Sequence, residues 1–333
     1  MNPRRRKLLL IAGATAALAF AGLNLVAYRH ARAMCQFARG GERTLPPEKL
    51  SFTQKAGVLL GGVTLPRPEN RRTPEDEGLA FTAIRFPGAR QQQIEAWHIR
   101  HEQGRGIVLL FPGYGAAKDS LLPVAKKFHE LGWDALLVDF HGCGGSGGST
   151  TSIGWHEAAD VAQAHAWAKL LARDKPVVHY GVSLGAVAIL RAVAADGVKP
   201  DAIIAECPFD RMLNTVKNRF RAMGVPSFPS AQLLVFWGGR QQGFDAFTHN
   251  PMDYAQGVKC PVLQLHGARD PRVSEAEARR VFEQLRGPKE FVLLEGVGHE
   301  SYLAARPQEW QRAVEPFLNA RTAQPPERVR ADK

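Results

Sequence analysis

From residue 79 onward, short apolar runs alternate with longer amphipathic stretches. The apolar runs predict strands at 79–86, 93–99, 106–111, 134–140, 176–181, 202–206, 261–266 and 290–294. Apolar positions spaced three and four apart predict helices near 117–131, 155–172, 184–195, 274–286 and 300–319. No helix separates the first strands, so the series opens antiparallel. The strand–helix alternation that follows requires a mainly parallel sheet with helices on both faces. The rhythm breaks between Pro208 and Val258, where "FDRMLNTVKNRFRAMG" and "FPSAQLLVFWGGRQQGFDAF" form a helical excursion too long for an ordinary connection. The expected architecture is therefore an α/β fold with an eight-stranded, mainly parallel sheet and a helical cap insertion at 208–258.

The pattern before residue 79 is of another kind. "RRRK" (4–7) precedes "LLLIAGATAALAFAGLNLVA" (8–27), twenty uncharged residues that as a helix would span a hydrocarbon core of about 30 Å. An uncleaved single-pass anchor is the expected reading of 1–33. Ala31-Arg32-Ala33 fits a signal-peptidase site, but charged residues crowd it, and Arg4-Arg5 leaves a twin-arginine export signal open. The four positive charges before the span place the N-terminus in the cytoplasm and the rest of the chain outside it, in a bacterium at the periplasmic face of the inner membrane; Arg29, Arg32, Arg39 and Arg43 beyond the span oppose that orientation. Residues 34–78, rich in Pro, Gly and charge, read as an irregular membrane-proximal collar, 79–320 as the catalytic domain and 321–333 as a basic flexible tail.

A chain of 333 residues with 45% hydrophobic composition can bury a large core. Its net charge of +11 would suggest a nucleic-acid partner if it were spread over the domain. Residues 1–43, however, hold eight basic residues and one acid, and 321–333 hold four basic and two acidic residues, so only +2 remains for everything between. No nucleic-acid partner is expected. Cys35, Cys143, Cys207 and Cys260 form no C-x-x-C pair, which leaves a zinc site unsupported. An exported compartment permits a Cys143–Cys207 disulfide near the C-terminal edge of the sheet, while four unpaired thiols are the simpler reading.

Two glycine motifs bear on chemistry. Gly142, Gly144 and Gly147 spell G-x-G-x-x-G after the strand "DALLVDF". A dinucleotide site needs a helix opening inside the motif to hold pyrophosphate, and here "STTSIG" intervenes; there is also no G-K-[ST]. The second motif is Gly181-Val182-Ser183-Leu184-Gly185, between the strand "PVVHYG" and the small-residue helix "AVAILRAVAA". A sharp strand-to-helix turn strains the serine backbone, crowds any side chain beside it and exposes the hydroxyl above the sheet. A serine hydroxyl needs a base to take its proton and an acid to orient that base. Asp270 follows "CPVLQLHG" and His299 follows "FVLLEGVG", each just past a predicted strand end; Glu206 and Asp210 are alternative acids. The oxyanion formed on attack needs two N–H donors, expected from Leu184 and from Tyr114 in "FPGYGAAKDS". Tyr114, Phe220, Phe236 and Trp237 are candidate substrate-binding residues, although the cap aromatics could equally pack the cap onto the core.

With "GVSLG", "HGARDPRV", "GVGHESY" and "LLFPGYG" in place, residues 79–320 resemble the α/β-hydrolase superfamily. Membrane-anchored bacterial serine hydrolases, distantly similar to serine aminopeptidase-like and esterase-like members, are the closest in character. "DFHGCGGSGGST" is similar to the D-x-R-G-x-G-x-S loop of many such enzymes, with His141 where arginine is usual, so the glycines are expected to shape a loop beside the pocket. The resemblance implies acyl transfer by Ser183, Asp270 and His299 with no metal or organic cofactor. It implies a small-molecule or lipid-like acyl substrate joined by an ester or thioester. A peptidase or amidase with the same triad is the alternative, and a noncatalytic binding module with this fold is a third reading.

Overall fold

Eight strands form one sheet: β1 (Thr82–Pro87), β2 (Gln93–Ile99), β3 (Ile107–Phe111), β4 (Asp134–Val138), β5 (Val177–Val182), β6 (Ala202–Glu206), β7 (Val262–Gly267) and β8 (Lys289–Leu294). Their order is β1-β2-β4-β3-β5-β6-β7-β8, with β2 antiparallel to both neighbours and every later pair parallel. The computed structural model describes residues 2–88 and 91–322, so most of the tail expected at 321–333 lies outside the described residues. The helices are α1 (Pro3–Cys35), α2 (Phe52–Gly61), α3 (Leu122–Glu130), α4 (Glu157–Ala172), α5 (Leu184–Ala195), α6 (Met212–Met223), α7 (Ser230–Gln242), α8 (Pro251–Tyr254), α9 (Glu275–Gln284), α10 (Tyr302–Ala305) and α11 (Pro307–Thr322).

The run "IVLLF" of β3 is apolar at every position because the strand is covered on both faces. Ile107, Leu109 and Phe111 join a core with α4 and α5 residues such as Val161, Ala164 and Ile189. Val108 and Leu110 point the other way, into a core with Phe128 of α3 and Trp310, Val314 and Leu318 of α11. Helix ends follow local chemistry. Ser274 and Glu277 form a reciprocal capping box at the start of α9, while α6 and α7 end at Gly224 and Gly243, both left-handed.

The chain divides into two compact units, Arg67–Asp210 with Asn250–Lys333, and Met1–Pro66 with Arg211–His249. The first holds the sheet. The second combines the N-terminal segment with α6 and α7, so the insertion expected at 208–258 is narrower and belongs with α1. Ala27, Ala31 and Cys35, spaced by four, are the buried residues of α1. There the helix meets α7: Tyr28 and Trp237 rings stand edge to face at 5.4 Å, and Trp237 Nε1 donates to Asn24 Oδ1 at 3.2 Å. The expected irregular collar contains α2, which Ser51 and Gln54 start with a capping box. The sequence reading missed it because its helical pattern is one short segment among prolines and glycines. His30 Nε2 meets Leu59 O at 3.2 Å, and Lys55 Nζ donates to Ala222 O at 2.7 Å, which ties α2 to α1 and to the end of α6. Of the collar, residues up to Pro66 join this unit and those from Arg67 join the sheet unit.

Candidate active site

Ser183 stands between β5 and α5 with φ 52° and ψ −108°, a conformation that costs a non-glycine residue about 1–3 kcal/mol. The flanking glycines are required by contact. A Cβ on Gly181 would lie 2.5 Å from Ala186 N, and one on Gly185 would lie 2.3 Å from Phe111 O. Gly185 thus lets the start of α5 sit against the end of β3. The loop after β3 also comes close, since a Cβ on Gly113 would be 3.8 Å from Ser183 Cβ. Tyr114, half-buried, packs against the core on the α4 and α5 side. Leu184 N belongs to the first turn of α5, whose N–H groups have no acceptor within the helix.

The acid and base meet directly. Asp270 Oδ2 lies 2.6 Å from His299 Nδ1, and Asp270 Oδ1 accepts from Arg272 N at 2.8 Å and Val273 N at 3.0 Å. Burial works against the Asp270 carboxylate, but the His299 bond and these backbone donors hold its pKa below the usual range. Gly267 makes the meeting possible, because a Cβ there would come within 2.6 Å of Val297 O and Gly298 O. Its N–H donates to the buried Tyr302 hydroxyl at 2.8 Å. With His299 Nδ1 committed to Asp270, Nε2 is the nitrogen available to take a nucleophile's proton. No hydrogen bond joins Ser183 Oγ to His299 in this arrangement. Sheet order supplies their proximity: Ser183, Cys207, Asp270 and His299 follow the C-terminal ends of the adjacent strands β5, β6, β7 and β8.

Cys207 is the residue the sequence reading misplaced. All four cysteines are free, so the Cys143–Cys207 disulfide does not form. Instead Cys207, at φ 42°, puts Sγ, an Asp270 oxygen and a His299 ring nitrogen within 4.8 Å of one another. The three donors resemble a metal-ligand set, but the direct Asp270–His299 bond already joins two of them. Burial lowers the pKa of His299, yet the Cys207 thiol and the Asp270 carboxylate outweigh it and raise it to about 10. Position at the strand edge was the available signal for Cys207; its neighbours were not readable from sequence. The alternative acids are used elsewhere. Glu206 is buried and pushed up to about 7, with Trp310 Nε1 donating to it at 2.8 Å, and Asp210 pairs with Arg280 at 2.8 Å.

The loop "DFHGCGGSGGST" is a scaffold whose N–H groups are spent internally. Gly142 N donates to Gly147 O, Gly144 N to Pro68 O, Gly145 N to Asp139 Oδ2 and Gly147 N to Gln93 O. A Cβ on Gly144 would fall 1.9 Å from Asp139 Oδ2, which explains the glycine. Asp139 also accepts from Lys118 N at 2.7 Å and Lys118 Nζ at 2.5 Å, and so ties this loop to the one that follows β3. His141, in the place of the usual arginine, donates its N–H to Asp160 Oδ2 and meets the same oxygen through Nδ1 at 2.6 Å, securing the loop to α4. Phe220, Phe236 and Trp237 lie in the other unit. Trp237 spends its ring and N–H on α1, Phe236 packs on Trp237 at 5.0 Å between ring centroids, and Phe220 is half-buried on α6.

Residues 102–254 match a family described as serine aminopeptidase, S33. The chain is 27% identical over 246 residues to the protein YqkD of Bacillus subtilis, covering 73% of this chain and 81% of that one. It is 25% identical over 257 residues to the lysophosphatidylserine lipase ABHD12 of Danio rerio, covering 68% and 64%. Among solved structures it is similar to the Pyrococcus furiosus esterase Pf2001, with a TM-score of 0.65, 21% identity and coverage of 85% of this chain and all, 100%, of that one. It is also similar to a bacterial membrane phospholipase A, with a TM-score of 0.52, 17% identity and coverage of 73% and 87%.

Proposed function

From the premise that this chain belongs to the α/β-hydrolase superfamily and is a hydrolase, we propose that it cleaves carboxylic ester or thioester bonds through an acyl-enzyme on Ser183. The observation that carries this reading is the 2.6 Å contact between Asp270 Oδ2 and His299 Nδ1, one strand order away from a strained serine. His299 Nε2 takes the Ser183 proton as Oγ attacks the acyl carbonyl. The N–H groups of Leu184 and Tyr114 stabilise the tetrahedral oxyanion, and His299 then returns the proton to the departing alcohol or thiol. Water enters, gives a proton to His299 and attacks the acyl carbon; Ser183 Oγ leaves with that proton, releasing the carboxylic acid. Asp270 remains ionised and holds the imidazole in the tautomer the cycle needs.

A lipid-like acyl substrate is favoured by the lipase and phospholipase among the similar proteins and by α1, whose apolar window is wholly exposed. In this reading α1 anchors the chain in a membrane, with the N-terminus cytoplasmic and the catalytic unit outside. Tyr114, Phe220 and Phe236 are assigned to acyl-chain contact, and Trp237 to holding α7 against α1. The peptidase reading rests on the matched family's description. Labelling of the full chain in detergent with a fluorophosphonate, compared with folded Ser183→Ala and His299→Ala, tests the mechanism: labelling is expected in the parent and in neither variant. A folded parent that does not label overturns it. Hydrolysis of aminoacyl amides in preference to acyl esters would move the assignment to a peptidase.

A further inference from the structure

Apolar exposure and positive charge are both concentrated in the unit formed by Met1–Pro66 and Arg211–His249. Among the described residues, every large hydrophobic side chain that is exposed lies in this unit except Leu170 and Leu171 of α4. Several lie beyond the spanning run: Phe52 and Leu60 are each 87% exposed, Phe228 76%, Leu45 48% and Phe236 44%. Phe52 and Leu60 sit about two turns apart on α2, toward one side of it. The unit holds 15 Lys and Arg against three Asp and Glu, a net +12, while the sheet unit holds 28 against 29, a net −1. The positive-inside segment accounts for only part of this. Residues 28–66 and 211–249 alone carry 11 basic and three acidic residues.

The unit is also continuous with the candidate span. α1 runs without a break from its exposed apolar window into the buried face at Ala27, Ala31 and Cys35 that packs on α7, with α2 bonded to α1 and α6. Side chains attached this directly to the end of a spanning helix sit within reach of the headgroup layer, where aromatic and aliphatic groups flanked by basic residues are stabilised.

We propose that the unit built from α1, α2, α6 and α7 is a membrane-seated platform that docks on an anionic bilayer surface through Phe52, Leu60 and Phe228. This rests on the reading of α1 as a membrane span, and it is independent of the hydrolytic mechanism. The inserted helices α6 and α7 are therefore tethered at the lipid surface, which makes a bilayer the source from which acyl substrate reaches this protein.

The test uses the full chain in proteoliposomes of phosphatidylcholine with or without phosphatidylglycerol, carrying p-benzoylphenylalanine at one site. Sites 52, 60 and 228 are compared with Leu170 as the exposed control on the sheet unit and with Leu18 as the control within the span. Mass spectrometry of photoproducts should give lipid adducts at 18, 52, 60 and 228 and at least fivefold fewer at 170. The yield at 52, 60 and 228 should rise with phosphatidylglycerol. Adducts at 18 with none above the 170 level at the other three sites would overturn the platform while leaving the anchor intact. Adducts at those sites joining two copies of the chain would assign the surface to self-association instead. Failure at 18 as well would overturn the anchor reading and, with it, the platform. Fluorophosphonate labelling of the same preparations reports on the hydrolase reading separately.

Discussion

The two units of this chain solve opposite solvent problems. The sheet unit buries its apolar residues on both faces of β3–β8, carries almost no net charge and turns its functional groups out at one edge. The other unit keeps Phe52, Leu60 and Phe228 exposed and collects the positive charge. The difference shows that exposed apolar surface here follows position along the chain, next to the candidate span, and is no general looseness of packing.

The sharpest way to break this comparison is to remove chemistry from one unit alone. Ser183→Ala or His299→Ala should lower ester hydrolysis by roughly 10³–10⁶-fold, and Asp270→Asn by about 10⁴-fold, with circular dichroism and melting unchanged in form. Phe228→Ser should leave turnover of a water-soluble short-chain ester within about twofold, because surface changes away from reacting groups cost little. A large loss there would place Phe228 in the chemistry and blur the division.

Glycine substitutions separate the units by stability. Gly185→Ala drives a Cβ to 2.3 Å from Phe111 O, a backbone atom that cannot swing aside, and should cost about 3 kcal/mol or more in chemical denaturation. Gly238→Ala on α7 meets nothing within 4 Å and should be stabilising by up to about 1 kcal/mol. Removing residues 1–33 deletes Asn24, Tyr28, Ala27 and Ala31 from the face that holds α7. Hydrogen exchange across α6 and α7 should then rise by at least tenfold, about 1.4 kcal/mol of local stability, while β3 and β5 stay protected. Equal protection in the truncated chain would mean that α1 contributes nothing to the unit.

The smallest effect concerns pH. Neutral His299 is the active base and its pKa is raised to about 10, so ester hydrolysis should climb with pH and fall as protonation sets in below that midpoint. Stability has the opposite sign: the raised folded pKa contributes stability fully below the ordinary imidazole pKa, and that contribution is lost as pH rises toward 10. Cys207→Ala should move the kinetic midpoint downward. An unchanged midpoint would show that Asp270 alone sets it.

Much of the sheet unit was legible beforehand because its signals are local. Strands 93–99 and 202–206 and helix 184–195 match the observed bounds, and others differ by a few residues at their ends. The region 117–131 begins with a 3₁₀ turn at Lys118–Leu121 before α3 starts at Leu122, since Pro123 is compatible with the first turn of a helix. Ser183, Asp270 and His299 were recognisable because a tight elbow needs glycines and a parallel sheet gathers groups at its strand ends. The other unit was far less legible. Asn24 and Trp237 are 213 positions apart, and no periodicity couples residues at that separation.

Hydrophobic period, glycine spacing and chain order determined the strand–helix alternation, the elbow at Ser183 and the span-length run at 8–27, since each arises from neighbours along the backbone. Only tertiary structure decided that Cys207 faces His299, that Glu206 and Asp210 are engaged by Trp310 and Arg280, and that α7 is fastened to α1. Those facts depend on which side chains a folded sheet and packed helices bring within a few ångströms, and distance in the chain carries no record of them.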